Sequence, residues 1–309
     1  ARGAVFLYSG NGSQWAGMGQ RLLAEEPRFR QAVREVDALF RRYADYSLED
    51  ELAGRNGDDR YQFTEIAQPA LFAIQVGITQ LLGHRGLTPI AVVGHSVGEV
   101  AAAWAAGALT LADAVEVIYQ RSRLQGLTKG CGAMSAVALG QEACEELLRE
   151  LALDDHLAVA GINSSRGVTV AGLPEKLHVL ETTLAERQIS WKRLDLDYAF
   201  HSPAMDGIEA EIRDALSHVR PKATTVPFIS TVSGGTLPGQ QLHADYWWLN
   251  VRQPVRFASA INVLLDQGVN LFVEIGPHPI LRSYVSDCLH DLRIECRVIP
   301  TLRKTDDSP

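Results

Sequence analysis

Short uninterrupted apolar runs, separated by longer segments of helical period, set the rhythm of this chain. Val5-Phe6-Leu7-Tyr8, Ile90-Ala91-Val92-Val93, Val226 to Thr231 and Leu271 to Ile275 read as buried strands. Between the first two, Leu22 to Tyr43 places Phe29, Val33, Val36, Leu39 and Phe40 on one helix face. Further helices are predicted over Ile66 to Leu82, Glu99 to Leu109, Leu111 to Thr128, Ala204 to Val219 and Phe257 to Gln267. Asp50 to Tyr61 is polar and reads as a loop. Continuous apolar strands between amphipathic helices predict a mostly parallel sheet covered on both faces.

The pattern changes after Lys129-Gly130-Cys131-Gly132. A strand over Met134 to Leu139 is followed by a helix over Gln141 to Leu151. Two strands, Leu157 to Ile162 and Gly167 to Ala171, flank Asn163-Ser164-Ser165-Arg166. A helix over Pro174 to Arg187 and a strand over Trp191 to Leu196 complete the stretch. That β-α-β-β-α-β order is ferredoxin-like. It predicts a small subdomain over residues 130–196, inserted into a larger one made of residues 1–129 and 197–309.

Composition narrows the function classes. A chain of 309 residues with 46% apolar and 21% charged residues suits one large soluble domain, or a large domain with a small insertion. The net charge of −8 argues against nucleic acid as a partner. Cys131, Cys144, Cys288 and Cys296 form no C-x-x-C pair and lack metal-type histidine spacing, so they read as reduced thiols of a cytoplasmic protein with no metal site. Val5 to Tyr8 is too short for the core of a signal peptide. The Ala-rich stretch that holds Glu99 and Trp104 is too short and too mild to span a membrane, so no membrane partner is expected. The strand-like start and the polar end, Lys304 to Pro309, suit a piece of a longer polypeptide.

The candidate chemistry centres on Gly94-His95-Ser96-Val97-Gly98, which lies between a predicted strand and a predicted helix. Glycines on both sides permit a sharp turn with the serine at its apex, and the helix start aims N–H groups at whatever reacts there. A serine nucleophile needs a base. His201 and His278 both follow predicted strands downstream and are both candidates. Asp195 and Asp197 alternate with Leu194 and Leu196 as an exposed strand face would, and lie too close to His201 for a separate acid loop. A dyad is therefore expected, with a backbone carbonyl orienting the imidazole. Arg121, on the next helix, is either a solvated surface residue or a clamp for a carboxylate on the acyl group.

Taken together, six segments resemble the acyltransferase domains of type I polyketide synthases and the malonyl-CoA:acyl carrier protein transacylases. They are Ser9 to Gly19, Gly94 to Glu99, Arg121, Tyr198 to Met205, Asn250 to Phe257 and Glu274 to Pro279, in family order. The resemblance implies an α/β fold: an α/β-hydrolase-like large subdomain with a parallel sheet, carrying an inserted ferredoxin-like small subdomain. It implies Ser96 as nucleophile, His201 as base, and Asn250 as the residue whose backbone carbonyl orients the histidine. It places His278 in a loop near the site. It implies an oxyanion hole from the N–H groups of Asn11 and Val97. Arg121 becomes the arginine that binds a malonyl carboxylate, while Gln14 and His95 line the pocket. The family usually has Gln where this chain has Asn11. The tetrapeptide Tyr198-Ala199-Phe200-His201 mixes a malonyl-type form, His-Ala-Phe-His, with a methylmalonyl-type form, Tyr-Ala-Ser-His. Phe200 fills the space an α-methyl needs, so malonyl is expected, with methylmalonyl as the alternative. No bound cofactor is implied. Malonyl-CoA is the implied donor, the phosphopantetheine of an acyl carrier protein the acceptor, and flanking synthase domains the neighbours. A serine esterase or thioesterase releasing acyl groups to water is the runner-up.

Overall fold

The computed structural model describes residues 3–57, 60–290, 292 and 295–304. The chain begins with β1 (Ala4–Tyr8), α1 (Gln20–Glu25), α2 (Pro27–Phe40), α3 (Leu48–Leu52), α4 (Thr64–His84), β2 (Pro89–Gly94), α5 (Gly98–Ala105) and α6 (Leu111–Gly126). Then come β3 (Ala133–Val137), α7 (Gln141–Glu150), β4 (Leu157–Ser164), β5 (Gly167–Gly172), α8 (Pro174–Glu186) and β6 (Trp191–Arg193). It closes with α9 (Glu209–Ala215), β7 (Phe228–Ile229), β8 (Thr236–Leu237), α10 (Ala244–Arg252), α11 (Phe257–Asp266), β9 (Leu271–Ile275), α12 (Arg282–Cys288) and β10 (Arg297–Pro300).

Among the described residues the strands make two sheets. One has the order β10-β9-β1-β2-β7-β8, parallel throughout except for the β7·β8 pair. Its central strand β1 is buried at every position. Phe6 and Tyr8 pack into one cluster and Val5 and Leu7 into another, so both faces are covered, as its continuous apolar run requires. The other sheet is antiparallel, in the order β4-β5-β3-β6, with α7 and α8 packed on it. It has the predicted β-α-β-β-α-β chain order and its own apolar cluster. Two backbone bonds join it to the larger unit, Ile162 N–H to Val255 O at 2.8 Å and Val255 N–H to Ala160 O at 2.9 Å.

Several expectations shift. The helix expected over Leu22 to Tyr43 is two helices, because Glu26 is extended (φ −106°) and Pro27 starts a new one. The loop expected from Asp50 begins as α3, capped by Ser47, whose Oγ accepts from Asp50 N–H at 3.2 Å. Ala204 to Val219 divides into a 3₁₀ segment, Pro203–Ile208, and α9. The last strand of the small sheet ends at Arg193, so Asp195 and Asp197 do not lie on a strand face. Asp197 instead sits 3.6 Å from Lys129 Nζ. Helix α4 is long and apolar enough to cross a membrane, but most of it is buried in the core. The polar end beyond Lys304 lies outside the described residues.

Candidate active site

Ser96 stands between β2 and α5 with φ at +56°, a left-handed conformation that non-glycine residues seldom adopt. The flanking glycines make the turn possible by close approach. A Cβ on Gly94 would lie 2.2 Å from Glu99 N, and one on Gly98 would lie 2.1 Å from Tyr8 O. The start of α5 is thus pressed against β1 and β2, and its first N–H groups close the turn, Gly98 N–H on His95 O and Glu99 N–H on Ser96 O, both at 3.0 Å. Among the described residues, neither Val97 N–H nor Asn11 N–H donates to an internal acceptor. Asn11 borders the same cavity as Ser96. Both N–H groups are therefore without an internal partner.

Ser96 Oγ is 2.7 Å from His201 Nε2. His201 also has a positive φ, 58°, and its Nδ1 is 3.0 Å from Gln253 O. That carbonyl can only accept, so Nδ1 carries the proton and Nε2 is left to take one from the serine. The orienting carbonyl is thus Gln253's, and the expectation of Asn250 is corrected. Asn250 lies within α10, whereas Gln253 follows its end in extended backbone (ψ 155°), where its carbonyl is free to turn toward the imidazole. Burial first, then the neighbouring Arg121 and His95, push His201 down to about 3, against the Gln253 bond. His201 is a neutral base at any pH near 7.

Asn250 works through its side chain. Its Oδ1 accepts from Arg121 Nε at 2.9 Å, and its Nδ2 donates to Ser96 O at 3.0 Å and Glu99 Oε1 at 3.3 Å. Arg121 is 1% exposed, which removes the solvated-surface reading. Its Nη1 donates to Gln68 Oε1 at 2.7 Å and Gln125 Oε1 at 2.8 Å, and its Nη2 lies 3.3 Å from Ser96 Oγ. Every side chain that accepts from this guanidinium is neutral. Burial lowers its pKa to about 9, with Glu99 opposing, so the group stays charged at neutral pH. A buried cation solvated by amides and a hydroxyl retains its attraction for an anion.

A cavity of about 80 Å³ opens beside the dyad. Asn11, His95 and Phe200 border it from the large unit; Met134, Ala160, Asn163 and Thr169 border it from the small sheet. His95 Nε2 is 2.8 Å from Asn163 Oδ1, linking the elbow to β4. Gln14 is not among the lining residues; its Oε1 accepts from Gly12 N–H at 2.9 Å and shapes the loop instead. Tyr198 stands behind the wall. Its ring stacks on Phe200 at 4.8 Å, and its hydroxyl accepts from Thr64 N–H at 3.2 Å. His278 does not join the dyad: its Nδ1 accepts from Lys304 N–H at 3.2 Å.

Residues 5–308 match the model of the family described as "Acyl transferase domain". Over 290 residues, 94% of the chain, it is 39% identical to erythronolide synthase EryA2 of Saccharopolyspora erythraea. The chain belongs to the acyltransferase domains of type I polyketide synthases. The acyltransferase domain from module 8 of the salinomycin polyketide synthase superposes with a TM-score of 0.95 at 36% identity, covering 99% of this chain and 72% of that one. A loading acyltransferase from the avermectin modular polyketide synthase gives 0.94 at 35% identity, covering 99% and 96%. This acyltransferase domain spans only 8% of the length of EryA2.

Pattern reading missed several residues that build the site of this acyltransferase domain. Gln68 is a polar position inside the apolar helix α4, and Gln125 lies one helical turn from Arg121. Both were detectable as polar breaks in apolar faces. Glu99 enters the sequence reading as the end of the Gly94 to Glu99 segment and as a charge that disfavours a membrane span, with no role of its own in the site. It is fully buried, with Thr231 Oγ1 at 2.7 Å and a short bond from the Tyr246 hydroxyl.

Proposed function

We propose that this domain takes malonyl from malonyl-CoA, holds it as an ester on Ser96 and passes it to the phosphopantetheine thiol of an acyl carrier protein. Ser96 Oγ attacks the thioester carbonyl as its proton passes to His201 Nε2. The oxyanion is held by the N–H groups of Val97 and Asn11, and the imidazolium returns its proton to the departing CoA thiolate. The carrier thiol then gives a proton to the same nitrogen and attacks the ester carbonyl; the bond from the acyl carbon to Ser96 Oγ breaks, and His201 returns the proton to that oxygen.

The observation that carries the reading is Arg121, buried beside Ser96 and answered only by neutral partners. A malonyl carboxylate supplies the missing anion. It also offsets one of the charges that holds His201 down, so a carboxylated acyl group makes its own base stronger. Phe200, not Tyr198, borders the cavity, which supports malonyl over methylmalonyl. The test is the mass of the intact protein after brief exposure to malonyl-CoA. A malonyl adduct on the native domain and none on Ser96→Ala is expected. An adduct that persists in Ser96→Ala, or turnover to free malonate without an adduct, contradicts the reading.

A further inference from the structure

We infer that Glu99 is a positioning residue for acyl-group selection: it holds the Asn250 amide in the orientation that turns its oxygen toward Arg121. This rests on the reading of Arg121 as the carboxylate site.

An asparagine amide has nearly the same shape in either of its two flipped orientations, so its neighbours decide which end faces where. Nδ2 of Asn250 faces two groups that accept, Ser96 O and Glu99 Oε1. That leaves Oδ1 for Arg121 Nε at 2.9 Å. Flipped, the amide would set its NH₂ against the guanidinium and its oxygen against a carbonyl and a carboxyl. Glu99 is itself fixed, by Thr231 on one oxygen and Tyr246 on the other, and Tyr246 is held by Ser230 Oγ at 2.7 Å. A continuous line of hydrogen bonds therefore runs from Ser230 and Thr231, past β7, through Glu99 and Asn250 to Arg121. The same line ties down the Ser96 carbonyl, so guanidinium and nucleophile share one frame.

Asn250 also acts as a spacer. Glu99 does not bond Arg121 directly, so its carboxyl orients the cation without occupying the donors a substrate carboxylate would use. None of Ser230, Thr231, Tyr246, Glu99, Asn250 and Arg121 borders the cavity; the line meets it at Ser96, whose Oγ lies 3.3 Å from Arg121 Nη2.

The test is competitive loading from equal malonyl-CoA and acetyl-CoA, read as the ratio of the two adducts by intact mass. Glu99→Leu keeps the bulk and removes the acceptor. It should lower the malonyl:acetyl ratio about ten-fold, the size of a typical coupling between groups in one network. Glu99→Gln keeps an oxygen for Asn250 and should restore the ratio. Tyr246→Phe frees one anchor of Glu99 and should lower the ratio about three-fold; it serves if Glu99→Leu does not fold. An unchanged ratio in Glu99→Leu and Tyr246→Phe, with Arg121→Ala losing it, overturns the inference alone. An unchanged ratio in Arg121→Ala overturns the carboxylate reading beneath it.

Discussion

The parallel sheet and the antiparallel one meet at the same cavity but bring different things to it. Strand β1 is buried at all positions and anchors an elbow so tight that a single added methyl would collide with backbone. The small sheet is antiparallel, with an apolar cluster of its own, and its edge strand β6 is exposed at two of three residues, as β10 at the edge of the large sheet is at two of four. From the large unit come the serine, the histidine, the arginine and the amides that hold them. From the small sheet come Met134, Ala160, Asn163 and Thr169, which give the cavity a wall and little chemistry. Groups that must hold a reacting atom to a fraction of an ångström sit where packing leaves no freedom. Groups that only bound a substrate sit on the other sheet.

The sharpest way to break this division is at the elbow. Gly98→Ala puts a Cβ 2.1 Å from Tyr8 O and has to displace Ser96. Loading should fall by about 100-fold or more, since a misplacement of about 1 Å has that effect. Measured acylation rates near the native value would show that the elbow is not rigid. Next is the wall on the large unit. Phe200→Ser should raise methylmalonyl over malonyl loading by about ten-fold, the worth of one methyl group in a fitted pocket. An unchanged ratio by mass spectrometry would remove Phe200 as the steric gate. A smaller effect is expected across the cleft. Asn163→Ala removes the partner of His95 and should raise KM for malonyl-CoA about three-fold with kcat nearly unchanged. A fall in kcat like that of Gly98→Ala would place chemistry on the small sheet and end the comparison.

The smallest effect is one of stability against pH. Burial raises Glu99 from 4.5 to about 7, so the folded protein takes up a proton there that the unfolded chain does not. That contribution is full below pH 4.5 and is lost as pH rises to about 7. His201 has the opposite sign. Its pKa is lowered from 6.5 to about 3, so its contribution is full above pH 6.5 and is lost as pH falls toward 3. The two oppose each other between pH 4.5 and 6.5. Glu99→Gln removes only the first, so its Tm relative to the native domain should climb from pH 4.5 to 7. A flat difference would show that Glu99 titrates normally.

Much of this was legible in the residue pattern, for a physical reason. Buried parallel strands must be continuously apolar, and a ferredoxin-like unit announces itself by element order. The elbow was legible because only glycine tolerates the contacts at Gly94 and Gly98. Gln253 was not legible, because the carbonyl that meets His201 depends on where α10 stops, and boundaries follow from tertiary packing. The Pro27 break was written in the chain but masked by the regular apolar spacing on either side of it. In the amide cradle of Arg121 only Gln125 is local, on the same helix; Gln68 on α4 and Asn250 on α10 are far away in sequence, so no local pattern relates them to it.

The central claim is that a buried guanidinium beside Ser96 selects acyl groups that carry a carboxylate. Native domain and Arg121→Ala, each given equal malonyl-CoA and acetyl-CoA and quenched within a turnover, test it by intact mass. The native domain should carry malonyl in at least ten-fold excess, roughly what loss of a buried charge pair implies. Arg121→Ala should still acylate Ser96 but without that excess. The same malonyl excess in both proteins would contradict the claim.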